Sequence, residues 1–253
     1  MIIDSFDPHS KPFITAEDFY GEVERNDVVT LVTFKQKVVD YVIDKYGAKK
    51  TSSYKTTNGF QDIYSFQFEG KTFQVYCSVI GATVATILMK EVSVVTGSHK
   101  YIFFGSCGIL NEEKCRGKII VPTSSYRDEG ISYHYMAPSD TVEMRNHQKI
   151  EDILSKTKVP FIAGPIWTTD GIYMETINKV NRHKQEGCLA VEMEVSGVEA
   201  VGRYYNIDNF HILFSADSLD ALEKWERVDF GGDNELNLQI EAFEVALRIA
   251  KEL

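Results

Sequence analysis

Apolar residues along the chain fall into short runs, and between several of these runs they recur at helical spacing. Runs of strand length lie at 27–34, 71–79, 100–106, 118–124, 160–168, 188–194 and 209–217. Apolar residues recur every three or four positions at 34–47, 82–97, 194–206 and 235–253. Strands alternating with helices predict one α/β domain around a parallel or mixed sheet, in which ligands bind at the carboxyl ends of strands.

Composition narrows the class of protein. The 253 residues are 43% hydrophobic and 25% charged, and the formal net charge of −10 disfavours nucleic acid as a partner. The four cysteines form no CxxC motif, and the histidines show no metal-binding spacing, so we expect reduced thiols and no metal site. No signal peptide and no apolar run of membrane-spanning length is visible. These features predict a soluble, cytoplasmic protein without a membrane partner.

Two carboxylates interrupt the run LAVEMEVSGVEA, residues 189–200, where a strand passes into a helix. Burying an ionised carboxylate costs several kcal/mol unless a partner binds it. Glu192 and Glu194 could occupy a helix N-terminus, where the helix dipole favours acids. Alternatively, one carboxylate could accept hydrogen bonds from two vicinal hydroxyls of a sugar. The pattern leaves both interpretations open.

Other polar groups also follow predicted strands. The segment FFGSCGIL, 103–110, ends a strand with a turn that could be a plain tight turn or an anion-binding concavity. Asp217 follows the run NFHILFSA and could be a helix N-cap or a general acid. The loops TTDGIYMET (168–176) and YRDEGISYHY (126–135) could be surface turns or could frame a heterocycle.

In order and spacing, GSCG, TTDGIY, VEMEVSG and SAD resemble motifs of the nucleoside phosphorylase family, which includes purine nucleoside phosphorylases, uridine phosphorylases and methylthioadenosine nucleosidases. The likeness extends from about Asp27 to the C-terminus, and YRDEGISYHY is most similar to the uridine branch. The resemblance implies a single α/β domain over 1–253, with 1–26 as an N-terminal arm and a mixed sheet curled into a partial barrel flanked by helices. It also implies a homo-oligomer, either a dimer or a hexamer.

The resemblance also implies roles for individual residues. Glu194 would bind the two ribose hydroxyls, and Asp217, helped by Arg227, would protonate N7 of a purine. The full implied set is Glu194, Met193, Glu192 and Tyr173 for ribose, Cys107, Gly108 and Ile172 for the base, Ser106, Lys37, Gly81 and Thr33 for phosphate, and Asp217 and Arg227 for catalysis.

The phosphate side departs from the family pattern. Thr33 stands in place of a loop glycine, whereas Lys37 and Phe103 stand in place of arginines. A lysine offers a point charge rather than a bidentate guanidinium, so we expect weak phosphate binding through Lys35 or Lys37.

The base side also departs from the uridine branch. Thr176 and Asn178 occupy the positions at which uridine phosphorylases present a glutamine and an arginine to uracil, which favours a purine.

The resemblance, taken with the departures from it, implies an enzyme that cleaves the N-glycosidic bond of a ribonucleoside. A purine is favoured as the base, and inorganic phosphate is the expected co-substrate. No other cofactor and no metal are expected. The alternatives are a uridine phosphorylase, a nucleoside hydrolase, and a nucleoside-binding protein without catalytic activity.

Overall fold

The structure is a computed structural model that describes residues 1–21, 23–56, 59–221 and 233–253, with side chains from residue 235 in the last range. Within these ranges ten strands form one mixed sheet. The strands are β1 Asn26–Thr33, β2 Lys49–Thr56, β3 Gly59–Phe68, β4 Lys71–Cys77, β5 Ser98–Ile109, β6 Ile119–Asp128, β7 Thr141–Glu143, β8 Phe161–Thr169, β9 Ala190–Glu192 and β10 Asp208–Ser218.

Five of the strands close into a ring. Strand β5 pairs with β10, β10 with β6, β6 with β8, β8 with β9, and β9 returns to β5. Strand β5 also pairs with β1, and from β1 the sheet continues through β4, β3 and β2 in that order. The predicted fold class, a mixed sheet curled into a partial barrel and flanked by helices, is therefore confirmed.

The helices cover the sheet with apolar faces, as amphipathic helices do. Helix α2 stops at Gly47, whose left-handed φ of 65° suits a helix C-cap. The helices are α1 Ala16–Tyr20, α2 Gln36–Tyr46, α3 Ala82–Thr96, α4 Glu112–Cys115, α5 Ser132–Tyr135, α6 His147–Leu154, α7 Ile177–Gln185, α8 Val195–Tyr205 and α9 Asp233–Glu252.

The hydrophobic pattern misses some elements. The hairpin β2–β3 was not predicted, because its burial alternates weakly and many of its residues are exposed or half-buried. Helix α7 was not predicted either, since only Val180 and His183 of its nine residues are buried. The predicted strand 188–194 is shortened to Ala190–Glu192. In the described ranges, no helix is both long and apolar enough to cross a bilayer.

Helix α8 approaches β10 closely at a glycine. A Cβ at Gly202 would lie 1.9 Å from Nδ2 of Asn209 and 3.0 Å from the carbonyl oxygen of Ile207. The Asn209 amide cannot easily move, because it is buried and donates to the carbonyl of Val198 at 2.7 Å. The contact fixes α8, which begins beside the site described below.

We expect Gly202→Ala to lower the free energy of unfolding by about 1–3 kcal/mol, as overpacking of a tight contact does. Urea denaturation of the variant and the wild type measures the change. Gly130→Ala is the control, because the nearest atom to its added Cβ is 3.4 Å away. Equal stability of Gly202→Ala and wild type would contradict the close approach.

Candidate active site

One cavity of about 370 Å³ lies where the carboxyl ends of the parallel strands β1, β5 and β10 meet. Polar side chains from these ends face the same space, as expected for an α/β sheet. The residues of the predicted site that line it are Thr33, Ser106, Cys107, Gly108, Ile172, Glu192, Met193, Glu194 and Asp217.

Glu192 has a structural partner for each of its oxygens. The side chain is 6% exposed and accepts hydrogen bonds from the backbone N–H groups of Glu194 at 2.6 Å and Val195 at 2.8 Å, and from the hydroxyl of Thr168. Burial raises the pKa of Glu192, and the charge of Glu194 raises it further. Glu192 therefore binds the N-terminus of α8, the first of the two interpretations of the acidic pair.

Glu194 is the N-cap residue of α8, but its side chain turns away from that helix. Its Oε1 accepts a hydrogen bond of 2.6 Å from the backbone N–H of Gly81, and burial raises its pKa. Gly81 has a φ of 106°, a conformation that favours glycine. Gly81 does not line the cavity, so its position differs from the phosphate role that the resemblance implies.

Asp217 reaches the cavity because β10 bulges. Opposite β5, Ser215 pairs with Cys107 and Asp217 with Gly108, so Ala216 is an extra residue. A Cβ at Gly108 would lie 3.2 Å from Oδ1 of Asp217 and 2.4 Å from Leu219, so a side chain at 108 would collide with this wall.

The turn Ile172–Met174 contains two of the predicted residues, Ile172 for the base and Tyr173 for ribose. Ile172 lines the cavity, whereas Tyr173 is 96% exposed and lies outside it, because successive residues of the tight 3-10 turn point in different directions. The ribose role predicted for Tyr173 therefore finds no support in the cavity lining. Arg227, the second predicted catalytic residue, lies outside the described residues.

The predicted phosphate lysine is also displaced. Lys37 is exposed in the first turn of α2 and does not line the cavity, whereas Lys35, two residues earlier, does. The Lys35 ammonium is 3.0 Å from Oε2 of Glu235, which lines the cavity as well. The lysine charge is thus already balanced by a carboxylate.

A buried histidine that lines the cavity, His211, was not predicted. His211 is 3% exposed, and neither ring nitrogen has a hydrogen-bond partner among the described residues. Burial lowers the pKa of His211 to about 3, so the ring is neutral near pH 7. The ring stacks on Phe103, with 5.6 Å between centroids. A histidine inside the apolar run NFHILF was the available signal.

Another missed residue is Glu175, which lines the cavity between Ile172 and α7. Burial raises the pKa of Glu175 to about 7, and the charge of Asp217 adds to the shift. Thr176 and Asn178 are both exposed at the start of α7, and neither lines the cavity. Spacing alone did not distinguish Glu175 from these neighbours.

The YRDEG loop, residues 126–130, does not belong to the described cavity lining but supports the site through α8. Arg127 is buried and donates from Nε to the Ser132 hydroxyl at 2.8 Å. Glu129 accepts from the Ser132 backbone N–H at 3.0 Å and from the Ser196 hydroxyl at 2.9 Å. Because Ser196 belongs to α8, the loop fastens the helix that presents Glu194.

Comparisons with known proteins identify the family and the fold. A family model described as the phosphorylase superfamily matches residues 27–250. A DeoD-type purine nucleoside phosphorylase from Alkaliphilus metalliredigens is 25% identical over 167 residues, 64% of this chain and 72% of that protein.

Two solved structures share the fold. Uridine phosphorylase from Vibrio fischeri has a TM-score of 0.74 at 19% identity, over 98% of this chain and 100% of that one. Purine nucleoside phosphorylase from Toxoplasma gondii, in complex with immucillin-H, has a TM-score of 0.74 at 18% identity, over 90% and 91%.

We expect the two acids to differ in their effect on stability. Glu192→Ala leaves buried backbone and hydroxyl donors without an acceptor, so it should lower the free energy of unfolding by about 2–5 kcal/mol. Glu194→Ala removes one hydrogen bond and should cost about 1 kcal/mol. Urea denaturation of both variants tests this, and a larger loss for Glu194→Ala would contradict the assignment of Glu192 to the helix terminus.

Proposed function

The chain belongs to the phosphorylase superfamily, and from this premise we propose that it cleaves the N-glycosidic bond of a purine ribonucleoside. The observation that carries the proposal is that Glu194 and Asp217 line one cavity. A carboxylate can accept hydrogen bonds from both hydroxyls of a ribose, and a second carboxyl group can donate a proton to the leaving base.

In the proposed reaction the bond between C1′ and N9 breaks and its electron pair passes to the base. Asp217 protonates N7 of the purine, which neutralises the developing negative charge. Glu194 holds the 2′ and 3′ hydroxyls, with Met193 against the sugar, while an oxygen nucleophile bonds to C1′ through an oxocarbenium-like state. A purine is proposed because uracil has no N7 and because Thr176 and Asn178 stay outside the cavity.

Asp217→Asn should lower kcat for inosine by about 10²–10⁴-fold, the contribution of a general acid. With 7-methylinosine the loss should be small, because that base already carries the positive charge. Steady-state assays on both nucleosides, alongside uridine, measure the difference. Equal losses on the two purine substrates would assign Asp217 a structural role, and cleavage of uridine alone would refute the purine proposal.

The acceptor that the resemblance implies is phosphate. The described cavity-lining groups that could donate to it include the hydroxyls of Ser106 and Thr33 and the ammonium of Lys35. A second acceptor, water, is favoured by one observation: the Lys35 ammonium is paired with Glu235, so phosphate would have to approach a carboxylate. The neutral ring of His211 offers it no compensating charge.

We expect the cleavage rate to reach half-saturation only at about millimolar phosphate or above, because guanidinium contacts are replaced by one paired lysine. A phosphate titration of initial rates, with the sugar product identified, measures this. Ribose 1-phosphate formed with saturation at micromolar phosphate would show an intact phosphate site. Free ribose formed at a rate independent of phosphate would establish hydrolysis.

A further inference from the structure

Glu175 is a carboxyl group on the wall of the cavity to which neither the resemblance nor the reaction assigns a role. It lies directly before Thr176, the N-cap of α7, whose hydroxyl accepts from the backbone N–H of Lys179. Helix α7 is in turn held by the ion pair of Lys179 with Asp128 at 2.8 Å. The ring of His183 also packs against Trp167 in a tilted arrangement with 4.3 Å between centroids. Anchored elements therefore hold the backbone of Glu175 at the cavity.

Within the described ranges the side chain of Glu175 accepts no hydrogen bond and forms no ion pair, although it is partly buried. This separates Glu175 from Glu192, whose oxygens bind the N-terminus of α8. A ligand that donates a hydrogen bond to such a partly buried carboxyl group therefore gains binding free energy from the contact.

The place of Glu175 identifies the part of a ligand that it meets. Ile172 and Asp217 line the same cavity, and the charge of Asp217 acts on Glu175. In a purine the substituent on C6 is adjacent to N7. If Asp217 contacts N7, as the proposed function requires, a second carboxyl group that lines the same cavity and interacts electrostatically with Asp217 is placed to meet the 6-substituent.

We propose that Glu175 reads the 6-substituent of the purine, accepting a hydrogen bond from an exocyclic amine, and so selects 6-aminopurines over 6-oxopurines. This inference rests on the proposed function for the placement of the base. An amine is a donor and matches an ionised carboxylate, whereas a 6-oxo group is an acceptor and repels it. Such specificity arises as much from the unfavourable contact between two hydrogen-bond acceptors as from the favourable hydrogen bond to the amine.

Protonation of Glu175 changes this preference in a predictable direction. The charged groups that act on it are Asp217 from β10 and Lys179 from α7, and the pKa of Glu175 is raised to about 7. When Glu175 is protonated it can donate to a 6-oxo group, and when it is ionised it can only accept. The preference for the amine should therefore strengthen as the pH rises through about 7.

Calorimetric binding of adenine and hypoxanthine to the full chain tests the inference, with cleavage of adenosine and inosine assayed in parallel. In Glu175→Gln, whose amide both donates and accepts, the ratio of adenine to hypoxanthine affinity should fall about tenfold. Glu113→Gln, the same change at an exposed position outside the cavity, should leave the ratio unchanged. The wild-type ratio should rise between about pH 6 and about pH 8, and Glu175→Gln should abolish this rise.

An unchanged ratio in Glu175→Gln would overturn the inference even where purine nucleosides are cleaved. A ratio that depends on Glu175 without cleavage of any nucleoside would overturn the proposed function and leave the inference standing. If Glu175→Gln fails to fold, the wild-type pH dependence decides, because a ratio independent of pH would contradict a titrating carboxyl group at the 6-position.

Discussion

The site depends on the buried carboxylate of Glu192 at the N-terminus of α8. Backbone N–H groups at a helix start have no partner within the helix, and the N-cap residue of α8, Glu194, provides no side-chain cap. Glu192 supplies the acceptor for two of these groups and joins them to Thr168 of β8. This interaction holds α8 at the point where β9 ends, so Glu194 is placed on the cavity wall by a neighbour whose oxygens bind the helix terminus.

Two other elements converge on the same helix terminus. Gly81, at the start of α3, donates to Glu194, and Glu129 of the YRDEG loop accepts from Ser196, two residues further along in the first turn of α8. Three chain segments far apart in sequence therefore fix one carboxylate. A substitution at any of them would change the direction of Glu194 without touching a ligand, which is why the loop can matter for the site while remaining outside the cavity.

The sequence predicted the buried elements well and the half-exposed ones poorly. Strands such as β5 and β10 have continuous apolar runs, and their strand ends led directly to Ser106, Cys107, Gly108 and Asp217. Strand β9 closes the ring with only three residues, which is too few to show a periodic pattern. The partial barrel was therefore predicted from the family resemblance. The sequence also did not show the direction of individual side chains. Tyr173 and Lys37 are exposed to solvent, whereas Glu175 and Lys35, each two residues away from one of them, line the cavity.

The balance of charge on the cavity wall favours some reacting species over others. Among the described lining residues the acids are Glu175, Glu192, Glu194, Asp217 and Glu235, and the one basic side chain is Lys35, which is paired with Glu235. Charges in a partly desolvated cavity act more strongly than in water. An oxocarbenium-like sugar carries positive charge, so this wall would stabilise it. A dianionic acceptor would meet the opposite effect. Asp217 has to be protonated to act as the general acid, and burial raises the pKa of Glu175, Glu192 and Glu194, so the charge of this wall depends on which carboxyl groups are ionised. The ionised ones suit the proposed sugar cation and oppose phosphate, and the described lining residues include no arginine to compensate for them.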